Sequence, residues 1–206
     1  MKITVLNGNP RTNGGEFDSY VGALAARLRS SQHGVEVLTL RGMDIRSCTG
    51  CLDCWTKTPG LCKVDDDSHD VCRAYINSDL VLFASPIIMG FTSALLKNAN
   101  DKLVPLLPYH IEFVDGEMHH AARYDRYPRT ALLLEKEADT DDEDIEIISG
   151  IYARDAINLK SSLAFVRLTS DPVEEVAREA DSVQRLTAQQ AELHQDHHRR
   201  VRGRLP

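Results

Sequence analysis

Four of the five cysteines fall in one short segment, "SCTGCLDCWTKTPGLC", with the spacing Cys48-x2-Cys51-x2-Cys54-x7-Cys62. Three thiolates two residues apart can converge on one compact centre, and the fourth returns to it from farther along the chain. Four thiolates are the usual complement of a [4Fe–4S] cluster. The run is not the bacterial ferredoxin pattern, which closes with x3-Cys-Pro. A structural zinc is a second chemistry, although the middle thiol suits a cubane better than two C-x2-C knuckles. Free thiols that shape a loop, with a redox-active pair among them, are a third. Cys72 stands apart on a helical pattern and reads as a small buried hydrophobe.

Two further stretches carry chemistry. "GNPRTNGG" (8–15) is a polar, Gly-rich turn between an apolar run and a helical pattern. Backbone amides at such a turn and at the helix N-terminus point at an anion, and the helix dipole favours it. Arg11 adds a charge, Asn9 and Asn13 add side-chain donors, and Gly15 lets the backbone come close. The pattern is neither G-x-G-x-x-G nor the Walker sequence, so it indicates neither a dinucleotide fold of that type nor an NTPase. "SPIIMG" (85–90) reads as an exit loop from a buried strand. Ser85 and Pro86 begin it, the backbone of Ile87, Ile88 and Met89 offers hydrogen bonds, and Gly90 permits a tight approach.

The elements that must position these stretches alternate along the chain. Apolar runs of strand length occur at 3–7, 35–40, 79–85, 130–135 and 163–168. Helical spacing lies between them. Phe17, Tyr20, Val21, Leu24, Ala25 and Leu28 form one face, and further helices are predicted at 67–77, 92–103 and 142–159. Asp171-Pro172 opens a last helix over 172–198. Five strands joined by helices predict a doubly wound, parallel α/β sheet with three layers and right-handed crossovers. In such a sheet ligands sit outside the carboxyl ends of the strands. One domain over 1–206 is expected. An insertion at 107–128 carries a hairpin signal at Asp115-Gly116, and its histidines 110, 119 and 120 read as surface residues rather than a metal site with Asp115. Trp55, the only tryptophan, reads as a packing anchor.

Composition bounds the partners. There are 24 basic and 31 acidic side chains, a formal charge of −7, which argues against a nucleic-acid surface. No apolar run approaches the ~18 residues that span a bilayer. No leader of basic, apolar and small-residue parts precedes the first strand. The expected location is the cytoplasm, where thiols stay reduced and a cysteine cluster is metal-binding or catalytic rather than disulfide-bonded. The stretch 135–144, "EKEADTDDED", holds seven acids in ten residues and reads as a solvated loop.

The strand–"GNPRTNGG"–helix unit followed by "SPIIMGFTSALLKNANDK" resembles the NADPH-dependent FMN reductase group of the flavodoxin-like fold. The resemblance implies strand order 2-1-3-4-5, the FMN phosphate on the first loop and the isoalloxazine along the second. Gly15-Glu16 stand where that family usually has Asn-Thr; Glu16 and Asp18 favour the first helical turn electrostatically, with Glu16 turned to solvent. The cysteine run, followed by Asp65-Asp66, is similar to that of iron–sulfur flavoproteins in the same wider family, which implies a [4Fe–4S] cluster on Cys48, Cys51, Cys54 and Cys62. The resemblance further implies a homo-oligomer, a dimer or tetramer, with the flavin near a subunit boundary. The implied activity is an FMN-dependent oxidoreductase passing electrons from NAD(P)H to a quinone, flavin or other small acceptor. The alternatives are an iron–sulfur flavoprotein electron carrier and a cofactor-free flavodoxin-like binding or regulatory module.

Overall fold

The computed structural model describes residues 1–114 and 116–183. The first apolar run is strand β1 (Lys2–Asn7), and all but its first residue are buried. It is buried on both faces, as a central parallel strand must be. Helix α1 (Gly15–Ser30) follows and buries Phe17, Val21, Leu24, Ala25 and Leu28, the face that the spacing predicts. Next come β2 (Gly34–Thr39), the single-turn α2 (Asp53–Thr56) inside the cysteine segment, and α3 (Ser68–Ile76). Then follow β3 (Leu80–Ile88), the two-residue β4 (Phe91–Thr92) and α4 (Ala94–Asp101). The hairpin β5 (Ile111–Val114) and β6 (Glu117–His120) precedes β7 (Arg129–Glu135), α5 (Asp142–Asn158) and β8 (Leu163–Leu168). A last helix, α6, is described over 173–183. The rest of the predicted 172–198 helix lies outside the described residues.

The main sheet runs β2-β1-β3-β7-β8, all parallel, with β4 paired antiparallel to the end of β3. Numbering only the five parallel strands, the order is the predicted 2-1-3-4-5. Side chains alternate across it with period two. On one face Ile3, Val5, Leu82 and Leu133 pack with Phe17 of α1 and Val176 of α6. On the other, Leu6, Phe83 and Leu132 pack with Tyr75 of α3, Leu96 of α4 and Tyr152 of α5. Sheet and two helical layers make the three-layer flavodoxin-like architecture.

The strand-three boundary is corrected. The predicted exit loop is mostly strand: β3 continues through Ser85, Pro86 and Ile87 to Ile88, with Ser85 opposite Leu134 and Pro86 opposite Glu135 of β7. Only Met89 and Gly90 turn, with φ of 54° and 73°. A two-residue hairpin needs left-handed residues there, and Ile88 then faces Phe91. The predicted hairpin in the insertion is present, as a separate two-stranded sheet. Its histidines are not all surface groups: His119 is buried, and His120 packs on Trp55 with ring centroids 4.9 Å apart.

Candidate functional site

The turn after β1 is built by its own side chains. Asn9 is fully buried. Its Oδ1 accepts from the Arg11 amide, and its Nδ2 donates to Gly14 O at 2.7 Å and to Asp18 Oδ1 at 2.9 Å. Asn7 Nδ2 donates to the same Asp18 oxygen at 2.9 Å. Arg41, just past β2, donates to Asp18 Oδ2 at 2.6 Å. Gly14 has φ 71°, and a Cβ there would stand 2.6 Å from Asp18 Oδ2. Asp18, one turn into α1, is therefore the post around which the loop is wound. Burial pushes its carboxyl up, but the bonds from Asn7, Asn9 and Arg41 and the Arg41 charge outweigh that and hold it below the usual range.

This assigns the residues differently from the sequence reading. Asn9 shapes the loop instead of donating outward. Glu16 is exposed, as expected, so the carboxylate inside the loop is that of Asp18, already matched by Arg41. Among the described residues, the backbone amides of Thr12, Asn13, Glu16 and Phe17 have no partner within the protein. With Gly15 exposed between them and the start of a sixteen-residue helix behind them, they form a receptacle for a phosphate. The chain fits FMN here.

The second loop splits in two. Ser85 is fully buried; its hydroxyl donates to Pro86 O at 2.8 Å and accepts from the Ser93 amide at 2.9 Å. It has no hydrogen left for a ligand. Pro86 and Ile87 are buried as well. Ile88, Met89 and Gly90 are the part open to the edge. Ser93 caps α4, and its hydroxyl donates to Gly8 O at 2.5 Å, tying the two loops together.

The acidic stretch is not simply solvated. Glu135, the last residue of β7, meets Arg11 at 2.6 Å. Glu137 accepts from the Met89 amide at 3.0 Å. Asp141 and Asp144 form a capping box at the start of α5. Two of the acids thus hold one group on each of the other two loops.

The cysteine segment folds against the C-terminal end of α4 and the residues just past it. Cys48, Cys51, Cys54 and Cys62 all line one cavity of about 130 Å3, together with Lys102, Val104 and Pro105. All five cysteines are free thiols. Among the described residues no group of three or more His, Cys, Asp or Glu side chains stands ready to hold a single metal ion. A cubane spreads its thiolates over four irons, which asks for a wider ring than one ion does. Four cysteines around one cavity are the donor set that such a cluster takes. Burial, then the neighbouring Cys62, Cys48 and Cys51, pushes the Cys54 thiol up. The amide at the start of α2 pulls the exposed Cys51 down. Cys72 does not line the cavity; burial drives its thiol to about 12.

The walls of this pocket join Asp53 and Asp67, which the sequence did not single out, to Asp66 and Trp55, which it did. Asp53 is buried and holds Lys57 at 3.0 Å and Lys63 at 2.8 Å. Asp67 accepts the Asp44 amide at 2.7 Å and Asp66 the Arg46 amide at 3.1 Å, fastening the approach to Cys48. Lys102 pairs with Asp66 at 3.0 Å, both side chains out of solvent. Trp55 donates to Val104 O at 3.3 Å, anchoring the loop.

Sheet order and edge loops together define a flavodoxin-like α/β protein. A model of the NADPH-dependent FMN reductase family matches residues 1–120, more than half of the chain, and the chain belongs to that family. It is 30% identical over 108 residues to an iron–sulfur flavoprotein of Methanocaldococcus jannaschii, covering 52% of this chain and 53% of that one. It is 26% identical over 102 residues to one from Archaeoglobus fulgidus, covering 50% and 48%. The chain thus spans about half the length of these curated relatives. Among solved structures, an FMN-dependent NADH-azoreductase from Bacillus anthracis in complex with FMN superposes with a TM-score of 0.56, at 11% identity, over 93% of this chain and all of the other. That likeness is one of fold. No helix among the described residues is long and apolar enough to cross a membrane.

Proposed function

We propose that the chain is an FMN-dependent oxidoreductase of the iron–sulfur flavoprotein type, drawing electrons from NAD(P)H and delivering them to a small acceptor such as a quinone or flavin. The observation that carries this reading is the placement of two receptacles on one helix. Ser93 at the start of α4 holds the phosphate loop through Gly8, and Lys102, just past its end, lines the cysteine cavity. Eight helical residues separate them by about 12 Å along the axis. The names of the relatives and the family match support the same cofactors.

When bound, FMN supplies hydride acceptance and a [4Fe–4S] cluster supplies one-electron storage. The chain binds and orients them. The Thr12, Asn13, Glu16 and Phe17 amides donate to the phosphate, and Arg11 adds its charge when it releases Glu135. Ile88 would pack against the ring, Gly90 would present its backbone amide to the polar edge, and Met89 would do so once Glu137 releases its amide. Cys48, Cys51, Cys54 and Cys62 are the cluster ligands, and Val104 and Pro105 give that cavity part of its apolar lining. No side-chain acid or base is required, because the cofactors carry the chemistry. We further infer a homo-oligomer in the cytoplasm; light scattering on the purified protein tests its mass.

The test is an absorption spectrum with iron and zinc analysis on protein purified without oxygen. Flavin bands near ~450 nm with about four irons per chain support the proposal. Flavin without iron reduces it to a simple flavin reductase. A protein that stays colourless after FMN is added overturns it and leaves the cofactor-free binding module.

A further inference from the structure

We propose that Lys102 is a positioning residue that turns a fixed positive charge on Cys62 and thereby favours the electron-rich state of the centre held in the cysteine cavity. The inference rests on the cluster reading above and adds a residue that the cysteine pattern does not contain.

The geometry is specific. The Lys102 side chain is 2% exposed and that of Asp66 is fully buried. Lys102 Nζ donates to Asp66 Oδ2 at 3.0 Å and to Cys62 Sγ at 3.4 Å. Its backbone is fixed too, since Cys72 Sγ donates to Lys102 O at 3.2 Å. A buried ammonium is costly unless it is paired and hydrogen-bonded, so a lysine this deep needs a reason to be charged.

Asp66 is held by more than Lys102: its Oδ1 accepts from the Ser68 amide and hydroxyl, and its Oδ2 also accepts from the Arg46 amide. These neutral donors leave its charge intact, so the pair is formally neutral but polarised, with the carboxylate held among Ser68 and Arg46 and the ammonium against Cys62 Sγ. The sulfur therefore meets the positive pole of the pair at close range. The same cavity contains little else that is charged: Lys102, Lys63 and Asp101 line it, and Lys63 is tied to Asp53. A hydrogen bond from a cation to a ligating sulfur withdraws electron density from it, and hydrogen bonding and net charge are among the factors that set the potential of such centres. Reduction adds one electron, breaks no bond and needs no proton. Lys102 supplies none of that electron; it makes the site more willing to accept it.

A merely structural role for the pair predicts loss of stability with an unchanged potential, so the two readings separate. The experiment is an anaerobic titration with dithionite as the electron source, followed by electron paramagnetic resonance, on iron-loaded wild type and on the double variant Lys102→Met/Asp66→Asn. The double change removes both charges and leaves no orphaned carboxylate. The expected result is that the ratio of reduced to oxidised centre at a fixed potential falls at least tenfold, a shift of about 59 mV for one electron. Lys102→Arg, which keeps the charge, restores most of it. Lys102→Gln, which keeps a donor without the charge, is the second variant should the double one fail to fold, and it carries the same expectation. An iron-loaded neutral variant that titrates with the wild type overturns this inference and leaves the cluster reading intact. Wild-type protein that takes up no iron overturns both.

Discussion

Arg11 reaches across the carboxyl edge of the sheet to Glu135, guanidinium Nη1 against carboxylate Oε2 at 2.6 Å. The contact joins the phosphate loop to the end of β7, and it engages the one cation the loop offers outward. Arg11 is about half exposed, so the pair is worth under about 1 kcal/mol and yields easily to a phosphate dianion. Glu135→Gln is expected to tighten FMN binding a few-fold. Arg11→Met is expected to weaken it about tenfold or more, the worth of one charge-assisted hydrogen bond. Quenching of flavin fluorescence measures both. Equal affinity in wild type and both variants would exclude Arg11 from the site.

Gly14→Ala is expected to cost about 1–3 kcal/mol. Its φ of 71° is left-handed, and the new Cβ would stand 2.6 Å from Asp18 Oδ2. Denaturant unfolding measures the loss. Weaker FMN binding should accompany it, because Asp18 anchors the turn. A neutral outcome would mean that the loop rearranges freely.

Two carboxyls make stability pH-dependent. Asp66 is pushed up by burial but held at about 2 by Ser68, Lys102 and backbone donors, and Asp18 is also held below its usual range. Folded values below the unfolded ones mean that the stabilisation is fully present above pH ~4. It is lost as pH falls through the folded values, near 2 for Asp66. The melting temperature should therefore drop steeply between pH ~4 and pH ~2. Asp66→Asn, which strands Lys102, should destabilise by roughly 3–5 kcal/mol at neutral pH and flatten the acid limb. A melting curve of Asp66→Asn parallel to the wild type would refute the assignment.

Cysteine by cysteine, iron uptake should follow the cavity. Cys54→Ala and Cys62→Ala are expected to lose most iron after anaerobic reconstitution, and Cys72→Ala to keep it at a stability cost of about 1 kcal/mol. Iron analysis per chain decides. Retention of iron by Cys62→Ala would remove the fourth ligand from the proposal.

The fold was legible because its signals are local. Ile3 and Val5 in one run, or Phe17, Val21 and Leu24 at helical spacing, announce their own faces, and strand order came from the family resemblance carried by the two loops. The end of β3 was misread because proline usually stops a strand. At Pro86 the β1 neighbour has already ended, opposite Ala84, so β3 has an open side there, where proline is tolerated. The cysteine pocket was legible in its ligands and not in its walls. Lys102 and Asp66 lie 36 residues apart, and nothing local marks a charged pair destined for the interior. Within the first turn of α1 the sequence offered two acids. Glu16 drew attention as the residue in a family position, yet Asp18 is the one turned inward, because Arg41, Asn7 and Asn9 meet only there.

Cys48 and Cys51 are exposed, and the amide at the start of α2 keeps the Cys51 thiol acidic. Thiolate character and access together set how fast a cysteine is attacked by peroxide and oxygen. The outer rim of the cavity is thus the first part of the molecule to age in air. Once Cys51 has gone to a sulfinate it no longer ligates, and nothing in the chain returns it. Storage history, as much as sequence, then decides what colour a preparation shows.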